Sequence, residues 1–269
     1  MKEPAKNRSA KAQPAAPREA FGVLTWLYFL YQLLIALPLG LLLTLLVSIV
    51  IIVGCLFNAH FWGYWPAHFW ARAVCRLLLL RVKVRGREHL HPRQSYVFVA
   101  NHQGAMDIFL VYGYLNRNFK WMMKKALRRM PVVGYACQKA RHIFVDKSGP
   151  RAIQRTYDSA RRTLRGGTSL VVFPEGARTF TGHMGVFRKG AFQLADELGL
   201  AVVPMTINGS FDVLPRQRGF FFVRRHTLEL VIHAPLPYDE DTDRRARAYN
   251  NIMSALPDKY QGYVENRDQ

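Results

Sequence analysis

Tyr96-Val97-Phe98-Val99-Ala100-Asn101-His102-Gln103-Gly104-Ala105-Met106-Asp107 is the stretch on which the fold turns. Its first five residues are apolar and rich in β-branched and aromatic side chains, the composition of a buried strand. Gly104 supports a turn, because glycine tolerates backbone angles that other residues avoid. Ile108–Tyr114 then reads as a helix. A residue pair at such a strand end sits where open α/β sheets place their sites. The spacing of His102 and Asp107 constrains how they meet. Five residues turn a continuous helix by about 500°, which leaves the side chains roughly 140° apart. They meet only if His102 lies on the turn and Asp107 in the first turns of the next helix. An imidazole oriented by a carboxylate is then a candidate general base near neutral pH. The alternative is that Asp107 caps the helix and His102 is a loop histidine.

Working outward, strand and helix alternate from Arg81. The expected strands are Arg81–Val84, Tyr96–Ala100, Trp121–Met123, His142–Val145, Ser169–Phe173, Ala201–Ile207 and Leu228–His233. The expected helices are Asp107–Tyr114, Val132–Lys139, Pro150–Leu164, Lys189–Leu198 and Asp241–Leu256. This alternation predicts an α/β domain over 81–269, with a mixed, mainly parallel sheet flanked by helices.

The N-terminal part has a different chemistry. No Asp, Glu, Lys or Arg occurs from Ala20 to Ala71, and Phe21–Phe57 is almost continuously apolar. That run is too long for a secretory signal and places this part in lipid. Leu37-Pro38-Leu39-Gly40 divides it into two pieces, each about 25–29 Å long as a helix. Basic residues flank the run on both sides (Lys2, Lys6, Arg8, Lys11 and Arg18 before it; Arg72, Arg76 and Arg81 after it). The positive-inside rule then puts both ends in the cytoplasm and predicts a membrane-embedded helical hairpin within 20–80. The alternative is one long kinked helix lying partly in the membrane. Phe61, Trp62, Tyr64, Trp65, Phe69 and Trp70 follow as an interfacial belt. Residues 1–19, rich in Ala, Pro and Lys, read as a disordered basic tail.

The chain of 269 residues has 38 Lys or Arg against 18 Asp or Glu, a net charge of +20. Such a balance calls for a polyanionic partner. A nucleic acid is disfavoured by the long apolar run and by the lack of a recognisable nucleic-acid module, which leaves an anionic membrane or phosphorylated substrates. From Leu115 to Arg165 there are 14 basic residues opposed only by Asp146 and Asp158. Cys55, Cys75 and Cys137 are scattered, so neither a disulfide framework nor a zinc cluster is expected. His89 and His91 lack the neighbours of a metal site, and no metal is expected.

A second constellation is Phe173-Pro174-Glu175-Gly176-Ala177-Arg178. Pro174 ends ladder pairing, Gly176 permits a tight turn or close ligand approach, and Arg178 can bind phosphate through two parallel hydrogen bonds. An ordinary strand-to-loop turn with a surface ion pair is the alternative.

Taken together, the motifs resemble the glycerophosphate acyltransferase superfamily. Asn101-His102 with Asp107 looks like its NHxxxxD motif, and Phe173–Gly176 with Arg178 looks like FPEGTR. Lys124-Lys125-Ala126-Leu127 with Pro131 and Gly134, Phe144-Val145-Asp146-Lys147, Phe187-Arg188-Lys189-Gly190-Ala191 and Val203-Pro204-Met205 match its further segments in order. The size, anchor and FPEGAR variant look most like the bacterial 1-acyl-glycerol-3-phosphate acyltransferases of that superfamily. The resemblance implies acyl transfer from acyl-ACP or acyl-CoA to the sn-2 hydroxyl of lysophosphatidic acid, making phosphatidic acid at the cytoplasmic side of a bacterial inner membrane, without a cofactor. It implies that His102 is the base, Asp107 orients it, and Lys125, Lys147, Glu175, Gly176, Arg178 and Lys189 bind substrate. Glu175 either accepts from a substrate hydroxyl or braces the site. Another acceptor, such as a lysophospholipid or lyso-ornithine lipid, and a non-catalytic lipid-binding protein remain as alternatives. Three positions depart from the family pattern: Gly104 for Ser, Ala177 for Thr and Lys147 for Arg. The first removes a hydroxyl from the site and puts acceptor identity in question.

Overall fold

The computed structural model describes residues 22–146, 148–164, 167–216, 222–238 and 243–262. Seven strands form one sheet: β1 (Arg81–Arg85), β2 (Val97–Ala100), β3 (Phe119–Lys124), β4 (Ile143–Val145), β5 (Ser169–Val172), β6 (Val202–Asn208) and β7 (Thr227–Ile232). Their order is β1-β7-β6-β2-β5-β3-β4. All neighbours are parallel except β6 and β7. The expected mixed, mainly parallel sheet is therefore present.

Alternation along the central strands builds two cores. Phe98, Ala100, Val171, Val203 and Met205 face α4 (Trp65–Leu77) and α5 (Met106–Tyr114). Val97, Val99, Leu170, Val172 and Val202 face the opposite layer, which holds α7 (Pro150–Thr163), α8 (Gly190–Glu197) and α10 (Arg244–Ser254). Both faces are covered, so these strands carry no polar face, as parallel strands require. Each of these side chains larger than alanine contributes about 1.5–3 kcal/mol through burial.

The N-terminal segment corrects the expected hairpin. α1 (Val23–Tyr31) and α2 (Leu37–Gly54) are joined by a π-helical turn, Gln32–Ala36, into one 32-residue helix. Pro38 therefore does not divide it. A proline ring clashes with the carbonyl four residues back, and the wider π turn just ahead of Pro38 relieves that clash. The reversal comes later, at Cys55–Asn58, before α3 (Ala59–Trp62). Asn58 caps α3 by accepting from the N–H groups of His60 and Phe61. α4 then runs back along α2: Trp70 Nε1 donates to Thr44 Oγ1 at 3.0 Å, and Tyr28 Oη donates to the Leu78 carbonyl at 2.6 Å. The second arm is thus part of the aromatic stretch read as an interfacial belt, of which Tyr64 is fully buried core and Trp65 and Trp70 pack, partly buried, against it. Gln32 is buried too, and its amide exchanges two hydrogen bonds with the Val223 backbone.

Among described residues, the helix Val23–Gly54 is long and apolar enough to cross a membrane, with a mean hydropathy of 2.8. Leu24, Leu27, Leu34 and Leu41 project outward from it.

His142 links the two sides of this frame. Its Nδ1 accepts from Trp121 N–H at 3.2 Å, so Nε2 carries the proton and donates to Tyr112 Oη at 2.9 Å. Burial, aided by the Lys120 charge, pushes the imidazole down to about 3. The unfolded chain then binds the extra proton between pH 6.5 and 3, so stability falls as pH drops through that window. About 2 kcal/mol should be lost by pH 5. Denaturant titrations should show a shallower slope between pH 6.5 and 5 for His142→Gln; an unchanged slope would exclude His142 as its source.

Candidate active site

Four parallel strands end on one edge of the sheet, in the order β2, β5, β3, β4. His102 follows β2, Glu175 and Arg178 follow β5, Lys125 follows β3 and Asp146 follows β4. Strands lie about 4.8 Å apart, so the row from β2 to β4 is roughly 14 Å wide.

The two spatial conditions on His102 and Asp107 are met. His102 lies on the turn and Asp107 is the second residue of α5. His102 Nδ1 is 2.7 Å from Asp107 Oδ2, and the Asp107 side chain is fully buried. The same oxygen accepts from Gly104 N–H at 3.0 Å. Asp107 thereby fixes the ring and places the proton on Nδ1, leaving Nε2 with its lone pair. Phe173 stacks on the imidazole at 3.9 Å with planes 7° apart, and Trp121 backs Phe173 at 5.5 Å. Asn101 ties the turn to β6, because its amide pairs with both the N–H and the carbonyl of Ile207.

Glu175 is buried and its oxygens are both engaged. Oε1 accepts from His102 N–H at 2.7 Å and Oε2 from Gly185 N–H at 2.8 Å. Burial pushes its carboxyl up to about 8, opposed by these two donors and reinforced by the Asp107 charge. Acceptance of an N–H by each oxygen favours the carboxylate, burial opposes it, and the group gains its charge as pH rises through about 8. Of the two expected roles, bracing fits this arrangement, since the side chain is buried and each oxygen already accepts a backbone N–H.

The basic residues divide. Lys125 Nζ is 2.7 Å from Asp146 Oδ2, and that ion pair with the Ser148 donors holds the Asp146 carboxyl at about 2. The ammonium is largely exposed, so a phosphate can compete for it. The Arg178 guanidinium has no hydrogen-bond or ion-pair partner among described residues, while its carbonyl accepts from Arg216. Gly176 has φ +81°, and a Cβ there would lie 3.2 Å from Arg188 Nε. Arg188 thus lies against the turn and joins the basic group, although sequence reading assigned it no role. Lys189 is exposed just before α8. Lys147 lies outside the described residues.

Gly104 has a steric explanation. A Cβ at this position would stand 2.6 Å from Ser210 Oγ and 2.8 and 2.9 Å from the carbonyl oxygens of Ser210 and Leu214. The chain has exchanged a side chain at 104 for close approach of the loop at 210–215. The Ser210 hydroxyl is buried beside the turn, close to where a side chain at 104 would begin. No short-range pattern could have paired positions 104 and 210.

Residues 81–208 match the family described as Acyltransferase. A 1-acyl-sn-glycerol-3-phosphate acyltransferase of Chlamydomonas reinhardtii is 30% identical over 184 residues, covering 68% of this chain and 55% of that protein. A chloroplastic 1-acyl-sn-glycerol-3-phosphate acyltransferase of Arabidopsis thaliana is 30% identical, over 63% of this chain and 47% of its own length. The chain spans about half the length of the curated relatives it matches. The crystal structure of the 1-acyl-sn-glycerophosphate (LPA) acyltransferase from Thermotoga maritima shares the fold, with a TM-score of 0.63 and 24% identity, covering 81% of this chain and 95% of that one.

Proposed function

We propose, from the match of residues 81–208 to the Acyltransferase family, that the chain acylates the sn-2 hydroxyl of 1-acyl-glycerol-3-phosphate with a fatty acyl thioester, acyl-ACP or acyl-CoA, to give phosphatidic acid. The observation that carries this reading is the 2.7 Å contact between His102 and a fully buried Asp107. His102 Nε2 takes the proton of the acceptor hydroxyl as its oxygen attacks the thioester carbonyl. The tetrahedral intermediate collapses, the carbon–sulfur bond breaks, and the imidazolium returns the proton to the departing thiolate. Asp107 stabilises the imidazolium in between. Arg178, Arg188 and Lys125, with Lys147 and Lys189, supply positive charge for the acceptor phosphate. Glu175 holds the His102 backbone in place, and Gly176 gives the turn its form.

We further propose that residues 20–80 embed at an anionic membrane, the bacterial inner membrane in the family reading, with 81–269 as the catalytic domain on the cytoplasmic face. The outward leucines of Val23–Gly54 support this. At about 48 Å the helix exceeds a hydrocarbon core of roughly 30 Å. Its contacts with α4 run along its length, so it lies against the domain rather than projecting from it.

Turnover on 1-acyl-glycerol-3-phosphate and on 1-acylglycerol tests the acceptor assignment. The phosphate should raise kcat/KM by about 100-fold or more, since two charge-assisted hydrogen bonds sum to at least about 3 kcal/mol. Arg178→Ala should remove most of that preference. Equal turnover of both acceptors would overturn the phosphate clamp.

A further inference from the structure

A cavity of about 650 Å³ lies at the other end of the sheet. Its lining includes Arg93, Arg117 and Gly167, which precede β2, β3 and β5 respectively. These are the parallel strands whose far ends carry His102, Lys125 and Glu175. Tyr96–Ala100 spans roughly 15 Å at about 3.3 Å per residue, so the cavity is separate from the site described above. Nothing in the acyl-transfer mechanism uses it.

Its chemistry is cationic, and two of its three guanidinium groups are held in place. Arg87, Arg93, Arg117 and His60 line it, and no Asp or Glu does among described residues. Arg87 donates to the Tyr114 carbonyl, and Arg117 donates to the carbonyls of His91 and Gln94. The Arg117 guanidinium also lies over the Tyr96 ring at 5.6 Å. Neutral carbonyls orient these guanidinium groups without cancelling their charge. Burial lowers the Arg117 pKa, the mark of a cation desolvated without an anion. A phosphate would supply that anion.

The rim adds a second chemistry. His60 sits beside the helix reversal, where Leu56, Phe57 and Phe61 are 68%, 83% and 46% exposed. Asn118, also in the lining, donates to the His60 carbonyl at 2.8 Å and ties this corner to the cavity. Cationic walls beside exposed apolar side chains suit a molecule with an anionic head and an apolar tail.

We propose that this cavity binds the phosphate of an anionic phospholipid headgroup, with the lipid chains against Leu56, Phe57 and Phe61. The site would hold the base of the sheet to the bilayer while the opposite edge acts on substrate. It stands independently of the acyl-transfer reading, because binding is measured without turnover.

The full chain should be floated with phosphatidylcholine vesicles with and without phosphatidylglycerol. Arg87→Ala/Arg93→Ala should lose about tenfold or more of the phosphatidylglycerol-dependent partitioning. Arg151→Ala/Arg155→Ala on α7 removes the same charge elsewhere and should lose far less. Equal losses would reduce the effect to net charge and overturn the site, as would no loss in the first variant. Arg93→Glu serves if the double variant unfolds, since the Arg93 side chain has no partner among described residues; it should show the same loss. Glycerol 3-phosphate at constant ionic strength should not displace the protein from vesicles. Displacement would overturn the lipid assignment in favour of a soluble phosphate ester.

Discussion

His102→Ala is expected to lower acyl transfer by about 10²–10⁴-fold, the usual contribution of a positioned general base. The substitution removes the imidazole that Asp107 orients to take and return the proton. It also leaves the Asp107 carboxylate with Gly104 N–H as its remaining partner. Some loss of stability, about 1–3 kcal/mol, should accompany it. Asp107→Asn separates the two effects. Its amide keeps the shape and one acceptor, so the fold should hold, yet the neutral group no longer favours the imidazolium. Turnover by this variant should also fall by at least about 100-fold. Thiol release from an acyl thioester, read beside the thermal midpoint, measures both quantities. Activity within tenfold of wild type in either variant, with the fold intact, would remove His102 from the role of base.

That pair was readable because its geometry is local. A strand, a glycine turn and a helix start within twelve residues restrict where two side chains can go. The seven strands were readable for a similar reason: buried parallel strands such as Val97–Ala100 and Leu170–Val172 have no polar face to blur the signal. The helix reversal was misplaced because Pro38 reads as a break wherever hydrogen bonding is strictly four residues back. A π turn changes that register without any signature in composition. The partners of the site residues were hidden for another reason. Lys125 meets Asp146 across the β3–β4 pair, and Gly104 meets Ser210 across more than a hundred residues. Phe173 belongs to the second motif, but its stack on His102 depends on β2 and β5 being neighbours. Such contacts follow from strand order, which alternating patterns do not specify.

Glu175→Gln is the second substitution with a large expected effect, and it distinguishes a brace from a substrate ligand. The carboxylate joins two turns that lie far apart in sequence, taking one N–H from His102 and one from Gly185. Glutamine matches it in size but has a single acceptor oxygen. Whichever way the amide turns, its NH₂ faces a backbone donor, so one buried N–H is left unpaired. An unpaired buried donor costs about 1–3 kcal/mol, and unfolding free energy should fall by about that much. If the Gly185 side gives way, the chain at 185–188 moves, and with it Arg188, whose N–H is bonded to the Pro174 carbonyl at 3.0 Å. If the His102 side gives way, the base shifts against Asp107. Either movement acts mainly on kcat, which should drop by about 10–100-fold, because small displacements of reacting groups carry costs of this size. A ligand role for Glu175 makes the opposite forecast: KM for the acceptor rises, while the thermal midpoint stays where it was. Glu175→Asp sharpens the contrast. It keeps both oxygens and the charge but is one methylene too short to span 2.7 and 2.8 Å contacts at once. A brace loses stability in both variants, whereas a charge that merely faces substrate is largely preserved by aspartate.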